Sequence, residues 1–405
     1  IKNNQITYKK LLRIIKNFII KWNFFLYFLF KKDNNFLSNE IYKYIYINLM
    51  LIKKLNFTHY KLINKFLRTN KSSLPRYESW KFFDNISQKN SSLILDGMFK
   101  NNKLVGYHSI ITKYLFFKKK KYKILVSSNL NVSKKLSINS IFLINKYFKQ
   151  KSDIYLTTTS NEKAFKIWKL IGSNEVNLIS SKVTLYQITN YFNYINNYLK
   201  KKKIKFIPKF SIKYLAFFLE LFFNKKNFIP NKKIIKFKKL DKYSKNLEDY
   251  NKNFEINCNY PIEQRSSFIL SKYIKTLELN KKKVYIYQIL NNNKMIGYLV
   301  LIIENYHGIK RMFIGELKID EKYEKDINEI LLFANRLAKE SGCTYIYYRY
   351  IKPSILKVIN KKNFFISKYN FSSYNIRIGS KKALVLKKYL KNNWGMSYLD
   401  GDCLL

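Results

Sequence analysis

The sequence predicts an α/β protein of the α+β type, in which two tandem copies of one unit each form a mixed, mostly antiparallel sheet flanked by helices. The main observation is a phrase that occurs twice, as residues 101–107 (NNKLVGY) and, 191 residues further on, as residues 292–298 (NNKMIGY). Each occurrence follows an apolar run and opens another. The same offset aligns two further pairs of segments: 154–156 with 345–347, and 164–167 with 355–358. A register kept over so long a stretch indicates an internal duplication.

Hydrophobic periodicity predicts the elements of the first copy. Alternating apolar and polar residues predict strands, with one hairpin turned at Lys118 to Lys121. The predicted strands are 41–55, 93–99, 104–116, 122–132, 153–159 and 175–188. Apolar residues at helical spacing predict helices, the last of which ends at Gly172. The predicted helices are 57–67, 76–86, 138–149 and 161–171.

The second copy repeats this order. Its predicted strands are 233–240, 284–290, 295–304, 310–319, 343–350, 364–378 and 383–388. Its predicted helices are 242–253, 262–277, 324–340 and one that begins after Pro353. The order of elements therefore supports a duplication of the whole unit.

The length of 405 residues suits two domains that each bury a core. We expect a helical extension at 1–40, a first domain at 41–190, a linker at 191–231 and a second domain at 232–405. Prolines bracket an apolar helix in the linker. That helix is expected to pack between the domains or to lie on a membrane surface.

The formal net charge is +53. A field of this strength attracts polyanions such as RNA, anionic lipid or acidic polysaccharide. Lysine outnumbers arginine by about nine to one, whereas nucleic-acid surfaces rely on arginine for bidentate contacts. Because an AT-rich genome also enriches lysine codons, mutational drift and a functional basic surface both stay open.

No run of apolar residues is long enough for a membrane span, and the nearest, 18–30, suits a core or interfacial helix. The cysteines Cys258, Cys343 and Cys403 share no metal-ligand spacing and form no disulfide framework by pattern. We therefore expect a cytoplasmic protein without a metal, with peripheral membrane contact as an open alternative.

Several segments resemble the GNAT acyltransferase superfamily, as does the order of elements. Residues 161–172 (NEKAFKIWKLIG) resemble the GNAT segment that begins with Asn, has Ala three residues on and ends in Gly. Residues 129–132 (NLNV) resemble the fourth strand where it enters the acyl-CoA loop, and residues 331–346 resemble the third helix and fifth strand. Trp394 and the sequence DGD at 400–402 are similar to the tail of bacterial tandem-GNAT proteins associated with polysaccharide biosynthesis. The resemblance covers residues 41–190 and 232–402.

The resemblance implies an acyl-CoA donor, acetyl-CoA by family default, with its pyrophosphate at the start of the third helix. The matching loop of the first copy lacks the family's glycines but offers small residues and lysines. The candidate donor-binding residues are Val132, Lys134, Lys135, Ser137, Asn139, Ser140 and Asn161. The alternative for this loop is a plain helix cap. The loop of the second copy carries four carboxylates that should repel a diphosphate, namely Asp320, Glu321, Glu324 and Asp326.

Acyl transfer to an amine needs a base for the amine proton and an acid for the departing thiolate. Glu316 lies where many GNAT members carry a general-base glutamate. The alternative role for Glu316 is structural, as a carboxylate paired with a cation. His108, which follows the repeated Gly-Tyr, is a second candidate base or a structural histidine. The family's acid, a Tyr of the fourth helix, is matched by Trp168. Because Trp cannot donate a proton in that role, Tyr155 or water is the candidate acid.

Trp394, Asp400 and Asp402 are candidates for binding the acceptor, with an Asp-Gly turn as the alternative for the two carboxylates. The sequence therefore favours an N-acyltransferase that moves an acyl group from acyl-CoA to an amino group of a sugar or small metabolite. A Fem-type aminoacyl-tRNA-dependent peptidyltransferase and a non-catalytic GNAT-fold module are the alternatives. The missing glycines and the positive charge suit the Fem type, whereas its long helical-hairpin insertion has no counterpart in the sequence.

Overall fold

The fold is described from a computed structural model. It covers residues 50–70, 93–157, 167–169, 171–176, 183–204, 207–224, 235–241, 244–265, 270–271, 274–275, 277–278, 281–306, 308–349, 352–359, 365–368 and 374–392. The extension expected at 1–40 and the helix expected at 76–86 lie outside these described residues.

The strands, in chain order, are β1 Leu51–Leu55, β2 Leu93–Lys100, β3 Lys103–Phe117, β4 Lys120–Val132, β5 Ile154–Thr157, β6 Asn174–Val176, β7 Val183–Ile188, β8 Ile235–Leu240, β9 Ile262–Glu263, β10 Lys283–Asn291, β11 Lys294–Tyr306, β12 Ile309–Ile319, β13 Tyr345–Arg349, β14 Phe365–Lys368 and β15 Tyr374–Ile378.

The α-helices are α1 Tyr60–Thr69, α2 Ser140–Lys149, α3 Tyr191–Lys201, α4 Lys209–Asn224, α5 Lys245–Asn257, α6 Ile327–Glu340, α7 Pro353–Val358 and α8 Lys387–Asn392. Four of these helices directly follow short 3₁₀ segments. The 3₁₀ segments are Phe57–His59, Lys134–Asn139, Glu321–Asp326 and Lys381–Leu386.

Two sheets share one strand order. Within the described residues, an eight-stranded sheet runs β1-β2-β3-β4-β5-β15-β6 with β9 added on β3, and a seven-stranded sheet runs β8-β10-β11-β12-β13-β7-β14. Neighbouring strands are antiparallel except for the parallel pairs β4–β5 and β12–β13. The predicted fold class, two mixed and mostly antiparallel sheets flanked by helices, is therefore confirmed.

The sixth strand of each sheet comes from the other half of the chain. β7 lies beside β13 in the second sheet, and β15 lies between β5 and β6 in the first. These two strands start 191 residues apart, at Val183 and Tyr374. The exchange is therefore reciprocal, and each of the expected units 41–190 and 232–405 contributes a strand to the sheet of the other. The boundaries of the folding units stay a prediction.

The repeated phrase encodes a hairpin turn. Asn101 and Asn102 have φ values of 49° and 57°, and Asn292 and Asn293 have φ values of 49° and 61°. Two successive positive φ values are typical of a type I′ turn, for which Asn is a favoured residue. The phrase is therefore kept in both copies by a local backbone requirement.

The glycine of the phrase permits close approach of the next strand. A Cβ atom on Gly297 would lie 2.4 Å from the Lys318 carbonyl oxygen. A Cβ atom on Gly106 would lie 3.0 Å from Cγ2 of Val132. The third and fourth strands are therefore in tight contact at the same place in both copies.

Strand irregularities also recur at matching positions. The β3–β4 register shifts between Ser109 and Ile110, and the β11–β12 register shifts between Val300 and Leu301. An extra residue in one strand of an antiparallel pair bends that strand. The fourth strand of each copy therefore bends at the same place.

Helices cover both faces of each sheet. In the first sheet, Ile63 of α1 packs in one cluster with Tyr107, and Ile144 of α2 packs in another with Ile110 and Leu125. The alternation of side chains along β3 places these two clusters on opposite faces. The second sheet is covered in the same way by α5 and α6.

The structure corrects four predicted elements. The strand predicted at 383–388 is helical, because Ala383 and Leu386 are buried at helical spacing between exposed neighbours. The single strands predicted at 175–188 and at 364–378 are each two strands in different sheets, β6 and β7 in the first case and β14 and β15 in the second. The helix predicted at 262–277 begins with β9, which pairs with β3.

The linker expected at 191–231 contains the hairpin of α3 and α4. Tyr191 of α3 and Ala216 of α4 meet in a small core with Ile188. Among the described helices, none is both long and apolar enough to cross a bilayer.

Candidate functional site

Among the described residues, part of the outer edge of the fourth strand of the first sheet has no neighbouring strand. β4 pairs with β5 only as far as Ser127, and within the described part of the chain it continues to Val132 without a neighbour on that side. On the inner side it stays paired with β3, where the Ser133 N–H donates to the Val105 carbonyl at 2.9 Å. Because alternate residues of a strand direct their backbone groups to opposite sides, those of Leu130 and Val132 point to the open edge.

A tyrosine hydroxyl separates β4 from β5 below this opening. Tyr147 of α2 donates to the Leu125 carbonyl of β4 at 2.5 Å and accepts from the Leu156 N–H of β5 at 3.0 Å. In a regular parallel ladder these two backbone groups would bond each other. The Tyr147 hydroxyl therefore lies between these two backbone groups, although the strands stay paired from Ile124–Ile154 to Ser127–Thr157, and we call it the wedge. Burial raises the pKa of this hydroxyl well above its usual value.

The loop that follows β4 presents cationic and small side chains to solvent. Lys134, Lys135 and Ser137 are exposed, Asn139 is half-buried and Ser140 is buried at the start of α2. The 3₁₀ segment Lys134–Asn139 leads directly into α2, and the Leu136 N–H donates to the Ser133 carbonyl at 2.8 Å. The loop therefore presents a cationic surface next to the outer edge of Val132.

In the corresponding loop of the second copy, a lysine from outside the loop pairs with two of the carboxylates. The Asp320 N–H donates to the Ile296 carbonyl at 3.0 Å, the counterpart of the Ser133–Val105 bond. The Lys352 ammonium lies 2.8 Å from Glu324 and 3.4 Å from Glu321. The carboxylates thus have an internal cation, and the loop does not suit a diphosphate.

A cavity of about 530 Å³ lies between this second loop and α5. Tyr250, Asp320, Lys294 and Lys322 are among the residues that line it, and the Tyr250 hydroxyl donates to the Asp320 carboxylate at 3.0 Å. The lining mixes both signs of charge and differs in this respect from the cationic loop of the first copy.

His108 is buried on the α2 face of the first sheet. Its Nε2 lies 2.7 Å from the Ser127 hydroxyl, and the rings of Tyr147 and Trp168 pack against it. Burial lowers the pKa of His108 to about 3, so the ring is neutral at physiological pH. The histidine therefore contacts the strand end beside the wedge, without exposure to solvent.

The opposite face of the same strands carries neutral polar groups. The Asn131 amide donates to the Tyr107 hydroxyl at 3.2 Å, and the Ser109 hydroxyl accepts from the Asn129 N–H at 3.0 Å. These groups flank the open edge on the α1 side of the sheet. Tyr107 and Ser109 are buried, whereas Asn129 and Asn131 are half-buried and can hydrogen-bond a polar acceptor without imposing a charge.

Glu316 belongs to a buried ionic network in the second copy. Its carboxylate accepts from Nε of Arg265 at 2.9 and 3.2 Å. Arg265 also pairs with Glu263 at 2.9 Å, and Glu263 pairs with Lys113 of β3 at 3.1 Å. The four charged side chains alternate in sign and are all less than a tenth exposed. They connect the first sheet to the second.

Tyr155 is held at the end of α2 that lies away from the loop. Its hydroxyl donates to the main-chain carbonyls of Gln150 and Phe148 at 2.5 and 3.1 Å. Burial raises its pKa, so the phenol is protonated at neutral pH. The three catalytic candidates therefore each have a partner inside the protein, and their catalytic roles stay predictions.

Four candidates from the sequence, Asn161, Trp394, Asp400 and Asp402, lie outside the described residues. Val132, Lys134, Lys135 and Ser137 are brought together as expected around one strand end. Their function in donor binding stays a prediction.

The sequence reading missed the wedge and the network. The helical periodicity of α2 predicts Tyr147 to be a core residue and gives no sign that its hydroxyl contacts two strands. Arginine is rare in this lysine-rich chain, so the presence of Arg265 could have indicated a site that needs a rigid guanidinium. Lys113 and Lys352 gave no signal, because lysine is so abundant here.

No protein-family model and no curated protein matches the sequence. Solved structures resemble the fold. A GCN5-related N-acetyltransferase from Anabaena variabilis gives a TM-score of 0.54 at 10% identity, over 82% of this chain and 73% of that chain. One from Kribbella flavida gives 0.50 at 7% identity, over 82% and 72%.

N-myristoyltransferase from Saccharomyces cerevisiae, solved with bound myristoyl-CoA, gives a TM-score of 0.50 at 12% identity, over 81% of this chain and 82% of that chain. The chain therefore has the GNAT fold that the sequence predicts. At such low identity the likeness establishes the fold alone, and the chemistry has to be argued from the residues.

Proposed function

We propose that the protein is an N-acyltransferase that takes an acyl group, by default acetyl, from acyl-CoA bound to the first copy. The observation that carries the proposal is that β4, among the residues that the structure describes, has no neighbour on its outer edge beyond Ser127 and leads directly into the cationic loop that precedes α2. An extended chain with amide groups suits an open strand edge. A diphosphate suits the cationic surface that Lys134 and Lys135 present to solvent.

In the proposed reaction the acceptor amine attacks the thioester carbonyl carbon, the C–S bond breaks and CoA leaves as a thiol after taking up a proton. The amine loses one proton to a base as the amide forms. The wedge of Tyr147 keeps the strands apart for the donor. Glu316 or His108 as base, and Tyr155 or water as acid, remain the proposed candidates.

We place the acceptor on the α1 side of the first sheet, where the half-buried Asn129 and Asn131 offer neutral hydrogen-bonding groups. Such groups suit a hydroxylated amine, so an amino sugar or a related small metabolite is the proposed acceptor class. The association with polysaccharide biosynthesis, and a role of Trp394, Asp400 and Asp402 in acceptor binding, belong to the same proposal.

The test is isothermal titration with acetyl-CoA, followed by a thiol-release assay with a panel of amines that includes amino sugars. Saturable heat and amine-dependent release of CoA are expected. The titration needs moderate salt, because a net charge of +53 attracts any polyanion at low ionic strength. Absence of saturable heat with acetyl-CoA and with longer acyl-CoA would refute the proposal.

Reversing the charge of the donor loop should weaken donor binding. The Lys134→Glu, Lys135→Glu variant is expected to lose about tenfold or more in affinity for acetyl-CoA, roughly 1.4 kcal/mol. Both side chains are exposed, so the fold should be unaffected. Affinity is measured by titration at one ionic strength for all variants.

The matched control is Lys322→Glu with Lys325→Glu, which makes the same change in net charge in the corresponding loop of the second copy. Both of these lysines are also exposed. Donor affinity of the control should equal that of the unaltered protein. An equal loss in both variants would indicate only general electrostatic attraction and would remove the donor from the first copy.

Removing the wedge hydroxyl should cost stability and donor affinity together. In Tyr147→Phe the Leu125 carbonyl and the Leu156 N–H lose their shared partner. Either they bond each other directly, which narrows the opening, or they stay unsatisfied. We expect a loss of about 1–3 kcal/mol in unfolding free energy. Donor affinity should fall as well, measured by denaturant unfolding and titration on the same samples.

Tyr155→Phe is the control, since this hydroxyl bonds carbonyls of α2 and lies away from the opening. Its donor affinity should be unchanged. A large fall in kcat for Tyr155→Phe would support Tyr155 as the acid, and an unchanged kcat would favour water. Unchanged donor affinity in Tyr147→Phe would contradict the wedge.

A further inference from the structure

Helix α4 exposes an apolar face to solvent. Phe210, Phe217, Phe218 and Phe222 are 65, 58, 53 and 75% exposed, and Tyr214 is 50% exposed. Large aromatic side chains are rarely exposed in such numbers on one helix of a globular protein. The other face of α4 is already covered, because Ile212 is buried and Ala216 packs with Tyr191 of α3.

The exposed side chains form one continuous arc of the helix. At 100° per residue, the positions from Phe217 through Phe210 and Tyr214 to Phe222 and Leu215 follow one another around a single side. Ser211 is the one polar residue within this arc. Apart from that serine and the Tyr214 hydroxyl, the arc offers no hydrogen-bonding group, so it suits a partner that needs none.

The charge around the arc is mainly positive. Exposed lysines lie at its rim and on the preceding turn, namely Lys200, Lys201, Lys202, Lys203, Lys209 and Lys213. Glu220, the acidic residue of the hairpin, projects on the same rim between Lys209 and Lys213 at 100° per residue, where it is half-buried near Tyr191. An apolar face with a cationic rim is complementary to an anionic bilayer surface, which presents acyl chains below a layer of negative headgroups.

The length of α4 restricts how it can meet a bilayer. Its 16 residues span about 24 Å at 1.5 Å per residue, less than the hydrocarbon thickness of about 30 Å. Lying in the plane of the interface, the helix buries one side and keeps the other on α3. Aromatic side chains are well suited to that depth.

We infer that the α4 face docks the protein on anionic membrane surfaces as a peripheral, in-plane helix. The docking is independent of the proposed acyl transfer. It brings the GNAT fold close to lipid-borne or membrane-adjacent substrates.

The experiment is flotation of the full chain with phosphatidylcholine vesicles, with and without phosphatidylglycerol. Binding is expected only when the anionic lipid is present. The Phe217→Gln, Phe218→Gln variant should partition at least about tenfold more weakly. It should also be stripped from vesicles by about 1 M NaCl, where the Debye length is only about 3 Å, whereas the unaltered protein is partly retained.

Leu384→Gln with Val385→Gln is the matched control, because these side chains are also apolar and exposed, at 56 and 49%. The control should bind like the unaltered protein. Unfolding curves of all three proteins should coincide, and Lys201→Glu with Lys202→Glu provides a second variant that should weaken binding without touching the apolar arc.

Three outcomes would overturn the inference. The first is no flotation with anionic vesicles. The second is binding that neither phenylalanine substitution reduces and that salt abolishes fully, which indicates net charge alone. The third is a stable dimer by light scattering that the Phe217→Gln, Phe218→Gln variant dissociates, which assigns the face to a second copy of the chain.

Discussion

Replacing Arg265 with methionine should destabilise the protein by about 3–5 kcal/mol, since removing one partner of a buried ion pair leaves an uncompensated charge. Arg265 is 1% exposed and contacts Glu316 and Glu263 through its side chain. The backbone N–H of Arg265 also donates to the Glu255 carboxyl at 2.6 Å, and burial raises the pKa of that carboxyl. Methionine fills much of the same volume but leaves Glu316 without its cation.

Urea unfolding gives the measurement, with Lys252→Ala as the control. The Lys252–Glu248 pair is a surface pair one helical turn apart, so the control should lose no more than about 0.5 kcal/mol. Adding Glu316→Gln to Arg265→Met should recover part of the loss, because it removes the unpaired charge. A loss for Arg265→Met as small as that of the control would show that the network is not part of the stable core.

A chain that ends at residue 373 is expected to lose the first sheet as a folded unit. The deletion removes β15, which pairs with both β5 and β6. It also removes Ile376, Ala383 and Leu386 from the core of the first sheet. Burying aliphatic side chains contributes about 1.5–3 kcal/mol each, so the loss is comparable with the total stability of about 5–15 kcal/mol.

Limited proteolysis and circular dichroism would check this expectation, with cleavage expected first within β2 to β5, far from the deletion in sequence.

The strand exchange itself has a sharper test. Thr157 and Asn375 lie opposite each other in the β5–β15 pair, so cysteines at these two positions should form a disulfide under mild oxidation.

The control places cysteines at Thr157 and Thr184. Thr184 lies in β7, which starts 191 residues before β15 and would be its counterpart if each unit kept its own strand. Mass spectrometry should find the 157–375 crosslink and no 157–184 crosslink. The reverse result would mean that each copy retains its own sixth strand and would contradict the exchange.

Local chemistry made much of the fold readable from the sequence. The paired asparagines and the glycine of the repeated phrase identify one hairpin in both copies, because a type I′ turn and a close strand contact restrict residue type at single positions. The strands β2, β3 and β4 were predicted within a few residues, since their alternation is long and regular. The segment 383–388 was assigned wrongly, because six residues fit a strand and a short helix equally well.

The candidate site was only partly readable. The difference in charge between the two loops is a property of adjacent residues, so Lys134 and Lys135 were identified against the carboxylates of the second copy. The partners of Glu316 and Tyr155 were not identified. Arg265 is distant in sequence from Glu316, and Tyr155 donates to main-chain carbonyls, which every residue has and no sequence pattern marks.

By itself the sequence determined the duplication, the hairpins, the order of elements and the asymmetry of the loops, all of which depend on neighbours along the chain. Only the tertiary structure decided which sheet each terminal strand joins, where the Tyr147 hydroxyl separates two strands, and that Lys113 and Arg265 share one ionic network. The physical reason is that alternation along a strand specifies which face is buried and does not specify which strand lies beside it. β7 and β15 would bury the same side chains in either sheet, so their exchange is settled by contacts that no local pattern encodes.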